Sequence, residues 1–184
     1  SKLTKRKVIF NFRDSDIKNN GQGAPLAPIY HKFIVNDLNL KLPTCIINIG
    51  GISNLTYVDE NKLIGFDTGP GNNLIDNFVR SNFNLYYDNN GMIASKGISD
   101  NKFVKNFMND NYFKLNYPKS LDNNYFKKYL KTIDKLDISL TDKLSTLLEC
   151  TIQSIVKAIL ELPKNPKNIL IVGGGYKNKR LVNR

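Results

Sequence analysis

The chain has 184 residues, 41% of them hydrophobic, and a formal net charge of +11. This composition is enough to enclose a hydrophobic core, so a disordered chain and a disulfide-dependent scaffold are both excluded. The basic residues are 22 Lys and only 5 Arg, scattered among 26 Asn, without the Arg-rich, aromatic-interleaved patches of nucleic-acid surfaces. The longest apolar runs span four residues. Because a bilayer span needs ~20, we expect no membrane segment and no nucleic-acid partner.

The N-terminal part begins at Ser1 rather than Met, and its basic start is not followed by an apolar h-region of about 7–15 residues, so we do not expect a secretory signal. We expect that processing or truncation removed the true start. Residues 8–12 are mostly apolar and predict a short strand. The polar residues 13–20 and the glycine- and proline-rich residues 21–25 follow as a loop.

Three short apolar stretches, residues 45–49, 54–58 and 62–66, are separated by Gly and Asx turns. They predict three strands of a meander. Residues 67–72 then lead into a helix, with Pro70 suited to its first turn. The apolar residues on one face of this helix are Leu74, Ile75, Phe78 and Val79.

The second half of the chain mixes helical patterns with one strand. Residues 84–136 predict a mainly helical region, and residues 142–162 carry apolar side chains at the i, i+3, i+4 spacing of a long amphipathic helix. An apolar strand at 168–172 is followed by three glycines and by a helix that begins near Asn178. This mixture predicts an α/β fold.

Cys45 and Cys150 lie among apolar neighbours, and we expect them to be buried thiols in a reducing compartment. With His31 as the single histidine and no CxxC pair, a zinc site is not expected. We interpret His31 as a structural histidine rather than a catalyst.

Glycines follow three of the apolar strands, where a backbone has to approach a ligand closely or adopt a positive φ. They are Gly50-Gly51, Gly69-Pro70-Gly71 and Gly173-Gly174-Gly175. Consecutive N–H groups in such turns bind anions, so together they indicate a polyphosphate ligand such as a nucleotide. Each turn alone is more simply a tight turn, and none has the GxxxxGKS/T or GxGxxG spacing of P-loop and Rossmann sites.

Asp67 is the candidate general base. It follows an apolar strand and precedes a predicted helix, beside the backbone donors that would hold a phosphate. A carboxylate there is placed to deprotonate a water or hydroxyl aimed at a γ-phosphoryl group; the alternative is that it caps the helix. Arg13, Asp14 and Asp16 form a second polar cluster, in which the Arg either clamps a carboxylate or phosphate or belongs to an exposed surface pair.

Several motifs resemble those of the anhydro-N-acetylmuramic acid kinases. Residues 11–17 (NFRDSDI) and 21–28 (GQGAPLAP) resemble one segment of that family, and Pro118-Lys119-Ser120 resembles its sugar-side loop. Residues 48–56 (NIGGISNLT) and 65–72 (GFDTGPGN) resemble the two most distinctive motifs of the family.

Residues 172–175 with Asn178 resemble the adenosine motif shared by the actin, hexokinase and sugar-kinase superfamily. The resemblance implies a cytoplasmic, ATP-dependent kinase of peptidoglycan recycling. Such enzymes add water across the 1,6-anhydro bond of anhydro-N-acetylmuramic acid and phosphorylate the released O6, giving N-acetylmuramic acid 6-phosphate. Mg²⁺ would come with ATP, held partly by water and phosphate. The implied partners are ATP and the anhydro amino sugar, and a homodimer is one expected assembly.

By motif position, the resemblance implies that Asp67 activates the attacking water. It implies that Arg13, Asp16, Gln22 and Lys119 face the sugar. The nucleotide-binding residues that it implies are Gly50, Gly51, Asn54, Gly69, Gly71, Gly173, Gly174, Gly175 and Asn178.

The implied fold is an actin-like (ribonuclease H-like) ATPase of two lobes, incomplete here because the family's first phosphate loop has no counterpart in this chain. Residues 1–83 would be part of the first lobe with the meander and the base, and residues 84–140 a mainly helical sugar-side region. Residues 141–184 would hold the long helix, a strand and the start of the adenosine motif in the second lobe. Two hypotheses follow: a piece of a kinase that is completed by the missing segments, or a catalytically inactive remnant, folded alone or with a partner.

Overall fold

A mixed sheet of four strands forms the centre of the protein, which is described by a computed structural model over residues 2–183. The strands are β1 (Thr44–Ile49), β2 (Ile52–Val58), β3 (Leu63–Pro70) and β4 (Asn168–Val172), in the spatial order β3-β2-β1-β4. β1, β2 and β3 pair as antiparallel neighbours, whereas β4 runs parallel to β1. The predicted meander and the α/β class are therefore confirmed.

Three strands end at the same edge of this sheet. β4 is parallel to β1, and β3 also shares the direction of β1 because both pair antiparallel with β2. Ile49, Pro70 and Val172 therefore lie at one edge, where the three glycine turns begin. Residues 168–172 form β4, which lies beside β1 in the same sheet as the meander.

The long helix α6 (Leu140–Leu160) packs on one face of the sheet and contributes seven buried residues to the core. It begins at Leu140, two residues before the predicted start, because the Ser139 hydroxyl accepts a hydrogen bond of 3.1 Å from the Asp142 N–H and so caps the first turn. Beside it, α3 (Asn73–Phe83) buries all four of its predicted apolar residues. The short helix α7 (Lys179–Val182) follows the third glycine turn.

The opposite face is covered by α2 (Pro28–Asp37), a helix that the sequence pattern does not predict. Val35 of α2 packs with Ile46 of β1 in a second, smaller cluster. His31 is buried, and its Nδ1 shares a hydrogen bond of 2.7 Å with Thr56 Oγ1. Burial lowers the pKa of His31. These contacts fit its interpretation as a structural histidine.

The strand predicted at residues 8–12 is wrong. These residues form irregular chain, and Ile9 and Phe10 are 72% and 70% exposed. The apolar pattern alone does not make a strand, because in the described part of the chain no other strand pairs with it. The polar segment that follows contains a short helix, α1 (Asp14–Lys18).

The third strand is longer than predicted. β3 continues to Pro70, so Asp67 lies within the strand, and Asn72 is the N-cap residue of α3. The alternative in which Asp67 caps the helix is therefore wrong, as is the placement of Pro70 in the first helical turn. Pairing with β2 explains the extension, since Ile52 lies opposite Pro70.

Residues 84–136 are mainly helical, as predicted, but in short pieces: α4 (Asn101–Met108), α5 (Lys128–Asp134) and several 3₁₀ turns. A cluster of aromatic rings holds these pieces together. Its members are Phe103, Phe107, Tyr112, Phe113, Tyr125, Phe126 and Tyr129.

Cys45 and Cys150 are buried and free, as expected. Burial raises the pKa of Cys45 to about 12, which makes it an unreactive thiol. Between residues 2 and 183, no helix combines the length and apolar character that crossing a bilayer requires. Over the same residues, no three or more His, Cys, Asp or Glu side chains are grouped to hold a metal ion.

Candidate active site

The three glycine turns meet where β1, β3 and β4 end. The Gly71 N–H donates to the Gly51 carbonyl at 2.9 Å, which joins the first two turns. The third turn packs against β1, since a Cβ on Gly173 would lie 2.7 Å from the Ile49 carbonyl oxygen. The structure therefore brings together the turns that the sequence places far apart.

Several of these glycines are required by packing. A Cβ on Gly69 would lie 2.6 Å from Ser154 Oγ of α6, and one on Gly71 would lie 2.2 Å from the Gly50 carbonyl oxygen. Gly173 has a φ of +83°, which side chains disfavour. The close approach of the Ser154 side chain at Gly69, and of neighbouring backbone at Gly71 and Gly173, thus accounts for these positions without a ligand.

Gly51 and Gly174 are different. The nearest atom to a Cβ on Gly51 would be 3.8 Å away, in Asn73, and the nearest to one on Gly174 would be 3.9 Å away, in Asn72. Both glycines are exposed and border open space. They are therefore the positions of the three turns where a phosphate can approach the backbone.

Asp67 is held by hydrogen bonds along the outer edge of β3, opposite Asn54 of β2. Its N–H donates to the Lys119 carbonyl at 3.0 Å, and its carbonyl accepts from the Tyr112 hydroxyl. The Leu121 N–H donates to Oδ2 at 2.8 Å. Within residues 2–183 no donor bonds to Oδ1, so this oxygen is free to accept a proton.

The electrostatic setting of Asp67 suits a general base. The side chain is only 5% exposed, and this burial raises its pKa. The hydrogen bond from Leu121 and the positive charge of Arg13 oppose the shift without cancelling it. A carboxylate with a raised pKa binds a proton more readily than an exposed one.

Two polar atoms beside Asp67 are buried and have no hydrogen-bond partner in the described part of the chain: Ser53 Oγ and Asn54 Oδ1. They flank an irregularity where β2 pairs with β3. Buried polar groups are rarely left unpaired, so these atoms are suited to bind water or ligand. The sequence motif identifies Asn54, but Ser53 becomes a candidate only from its burial.

Two of the sugar-side candidates, Arg13 and Asp16, lie together at Gly23. Asp16 Oδ2 accepts a hydrogen bond of 2.6 Å from the Gly23 N–H, and Arg13 Nε would lie 3.1 Å from a Cβ on Gly23. The positive charge of Arg13 acts on Asp67 and lowers the pKa of its carboxyl group. Gln22 is exposed in the same loop. The loop thus brings a guanidinium and a carboxylate towards the candidate base.

Lys119 has a different environment. It is 5% exposed, and its Nζ donates to the Leu115 carbonyl at 2.9 Å and lies 3.9 Å from Glu161 Oε2. Burial lowers its pKa. In this structure the ammonium group is therefore held within the fold, and Lys119 contacts Asp67 through its backbone carbonyl.

A cavity of about 460 Å³ lies beside the third glycine turn, bordered by α3, residues 86–90 and Gly174. Asn178 also lines it, but its Oδ1 accepts a hydrogen bond of 3.1 Å from the Leu181 N–H and so caps α7. The cavity residues Asp76 and Arg80 are not predicted from the sequence. The signal that could have found them is the spacing of four residues from Asn72 to Asp76 and again from Asp76 to Arg80.

The whole chain, residues 1–184, matches the family model described as anhydro-N-acetylmuramic acid kinase. The protein of that name from Hydrogenovibrio crunogenus is 39% identical over 189 residues, covering 100% of this chain and 50% of the relative. Those from Zymomonas mobilis and Pelagibacter ubique are 37% and 38% identical, covering 97% and 99% of this chain and 48% and 50% of the relatives. The chain spans about half the length of the curated relatives that it matches. It belongs to the anhydro-N-acetylmuramic acid kinase family.

Proposed function

We propose that this chain carries the ATP-binding and catalytic part of a kinase that acts on anhydro-N-acetylmuramic acid. The reaction hydrolyses the 1,6-anhydro ring and phosphorylates O6 to give N-acetylmuramic acid 6-phosphate, in cytoplasmic peptidoglycan recycling. The observation that carries this proposal is the buried Asp67 carboxylate, with Oδ1 free, near the edge where three glycine turns meet. The name of the curated relatives supports it.

In the proposed step, Asp67 Oδ1 accepts a proton from the attacking water while the water oxygen bonds to the anomeric carbon of the sugar. The bond between that carbon and O6 breaks. O6 forms a bond to the γ-phosphorus of ATP as the bond from phosphorus to ADP breaks. The Leu121 N–H, bonded to Oδ2, keeps the carboxylate oriented for this transfer.

The ATP phosphates are proposed to lie against Gly51 and Gly174, where the backbone borders open space. Mg²⁺ would enter with ATP and neutralise phosphate charge, bound largely by phosphate oxygens and water, as it often is in such sites. Arg13, Asp16 and Gln22 are proposed to face the sugar, since their loop lies on the Asp67 side of the sheet.

The sheet is proposed to belong to the two-lobed actin-like (ribonuclease H-like) fold, of which this chain holds a part. Two features of the sheet support this proposal. The antiparallel meander is followed by a strand parallel to β1, and β1 and β3, the outer strands of the meander, both end in a glycine turn at the same edge of the sheet. The expected homodimer is likewise a proposal, which analytical ultracentrifugation of the chain tests.

The kinase assignment is tested by ATP-dependent conversion of anhydro-N-acetylmuramic acid. The assay uses the 184-residue chain alone and with an added N-terminal piece of a relative that carries the first phosphate loop. Asp67→Asn is expected to lower the rate by about 10²–10⁴-fold, the usual contribution of a general base. The matched control is Asp37→Asn, which removes an exposed carboxylate at the end of α2 and is expected to keep the rate.

An inactive completed chain would contradict the proposal and favour the catalytically inactive remnant. A full rate for Asp67→Asn in an active completed chain would instead remove Asp67 from the role of base while leaving the kinase activity in place.

A further inference from the structure

The cavity beside the third glycine turn has the size and lining of a ligand site. Its volume of about 460 Å³ falls within the range of about 300–1,000 Å³ common for small-molecule pockets. One wall is α3, and another is the turn that contains Tyr86 and Tyr87. Gly174, proposed above as a phosphate contact, borders the same space. A ligand with its phosphates at the glycine turns therefore has room to extend into this cavity.

The direction of α3 indicates which part of such a ligand lies where. Asn72, Asp76 and Arg80 follow at intervals of four residues, so they lie on one face of the helix, and all three line the cavity. At 1.5 Å per residue, Asp76 lies about 6 Å and Arg80 about 12 Å along the axis from Asn72. The Asn72 N–H donates to the Gly50 carbonyl at 2.7 Å, which fixes that end of the face to the glycine turns. Asp76 is thus one helical turn beyond the proposed phosphate position.

Asp76 is the cavity carboxylate with free acceptor capacity. Asp88 also lines the cavity, but its two oxygens accept hydrogen bonds from the Ile93 and Ala94 N–H groups at 2.8 and 3.0 Å. Among residues 2–183, no donor bonds to the Asp76 carboxylate, although the charge of Arg80 acts on it. The side chain is half-buried, and burial raises its pKa.

The side chains around Asp76 favour a ligand part that carries hydroxyl groups and a ring. An ionised carboxylate only accepts hydrogen bonds and repels phosphate, so it selects a ligand part that carries O–H donors. Tyr86 and Tyr87 are 83% and 60% exposed, and exposed aromatic rings beside a cavity suit stacking on a planar base. The Arg80 guanidinium is held at the Tyr86 carbonyl at 3.4 Å, which keeps it on the same wall.

The proposed kinase site directs the nucleoside of the bound nucleotide into this cavity, and we propose that the Asp76 carboxylate accepts hydrogen bonds from the vicinal ribose hydroxyls, with Tyr86 and Tyr87 beside the base. This assignment rests on the proposed kinase function. It makes Asp76 a specificity residue that distinguishes ribonucleotides from deoxyribonucleotides.

The test is calorimetric titration of the 184-residue chain with ADP, 2′-deoxy-ADP and 3′-deoxy-ADP. Wild type is expected to bind ADP about tenfold or more tightly than either deoxy analogue, because a hydrogen bond to a charged group is lost. Asp76→Ala is expected to bind all three within about twofold of one another, since the partner of the hydroxyls is gone. Asp76→Asn, with a neutral acceptor, is expected to discriminate less than wild type.

Asp37→Ala is the matched control, since it removes an exposed carboxylate on the other face of the sheet and is expected to keep the wild-type ratio. The ratio between ligands is used because a change in folding or net charge alters the affinity for all three together. Wild type that binds ADP without discrimination, or an Asp76→Ala protein that still discriminates, overturns the role of Asp76 and leaves the kinase proposal standing. Wild type that binds none of the three nucleotides overturns the assignment of this cavity, whereas the kinase proposal is decided by the assay of the completed chain.

Discussion

Asp67 and Asp110 are both buried carboxylates, and their surroundings shift their pKa values in opposite directions. Burial alone would raise the pKa of Asp110, but hydrogen bonds from Lys128, Tyr125 and Tyr129 outweigh it and lower the pKa to about 2. Asp67 receives one backbone N–H at its carboxylate, so burial dominates and its pKa rises. The number of donors thus separates a structural carboxylate from one suited to proton transfer.

This contrast predicts that Asp67→Asn stabilises the fold while it removes activity. The amide oxygen still accepts from the Leu121 N–H, and the cost of burying a charge is gone, so the free energy of unfolding at pH 7 should rise by roughly 0.5–2 kcal/mol. The pKa of Asp67 is higher in the folded than in the unfolded protein, where it is near 3.8. Between these two values the folded state binds more protons, so wild type loses stability as the pH rises through this window.

The variant lacks this titration, so its advantage over wild type should be smallest below the unfolded pKa and largest at neutral pH. Urea unfolding at several pH values measures the difference. An advantage that does not change with pH, or a variant less stable than wild type at pH 7, would contradict the assignment of burial as the cause.

Among the helices, α6 depends on a glycine in β3 for its approach to the sheet. A Cβ on Gly69 would lie 2.6 Å from Ser154 Oγ, so Gly69→Ala should lower the free energy of unfolding by about 1–3 kcal/mol, the usual cost of overpacking. Gly51→Ala is the matched control. Its Cβ would be 3.8 Å from the nearest atom, so its effect should stay within about 0.5 kcal/mol. If both variants lose the same free energy of unfolding in urea, the conformation of the turns, rather than the contact with α6, causes the loss.

Elements whose pattern is local are the ones that the sequence predicts. The i, i+3, i+4 stripe of α6 and the turn-separated apolar stretches of β1 to β3 specify themselves within short windows. The end of β3 does not, because its pairing to Pro70 and the bond from the Asp67 N–H to Lys119 depend on distant residues. The exposed apolar residues 8–12 show the reverse case, a strand pattern without a partner strand among the described residues.

The candidate site divides in the same way. Asp67 and the glycine turns are predictable, because the motifs that contain them are continuous in the sequence. Asp76 is not, since on its own it belongs to the polar face of an amphipathic helix, and only the folded chain places Gly174 across a cavity from it. The sequence also does not distinguish the glycines from one another. Only the structure shows that Gly69 is packed against Ser154, whereas Gly51 borders open space.

At the scale of the whole molecule, buried contacts are distributed unevenly along the chain. Every residue from 2 to 20 is exposed, whereas the core joins residues of the sheet, α3, α4 and α6. Segments with few buried contacts open more readily than the rest of the chain, because their opening does not require the core to unfold. The N-terminal segment nevertheless carries Arg13 and Asp16, two of the proposed sugar-side residues. Substrate contacts are therefore proposed to come from the part of the chain with the least packing to hold it.

Hydrogen exchange should show this division. Amides of residues 2–12 are expected to exchange within the shortest labelling times, whereas those of β1 and the centre of α6 should exchange only through global unfolding. Removing residues 2–12 should change the free energy of unfolding by less than about 0.5 kcal/mol, as expected for exposed positions. The pKa of Asp67 should stay raised, because the truncation keeps the burial of the carboxylate and leaves the opposing charge of Arg13 unchanged. Strong protection of residues 8–12 would contradict this prediction. It would mean that their exposed apolar side chains are covered in solution, and a dependence of that protection on protein concentration would identify a second copy as the cover.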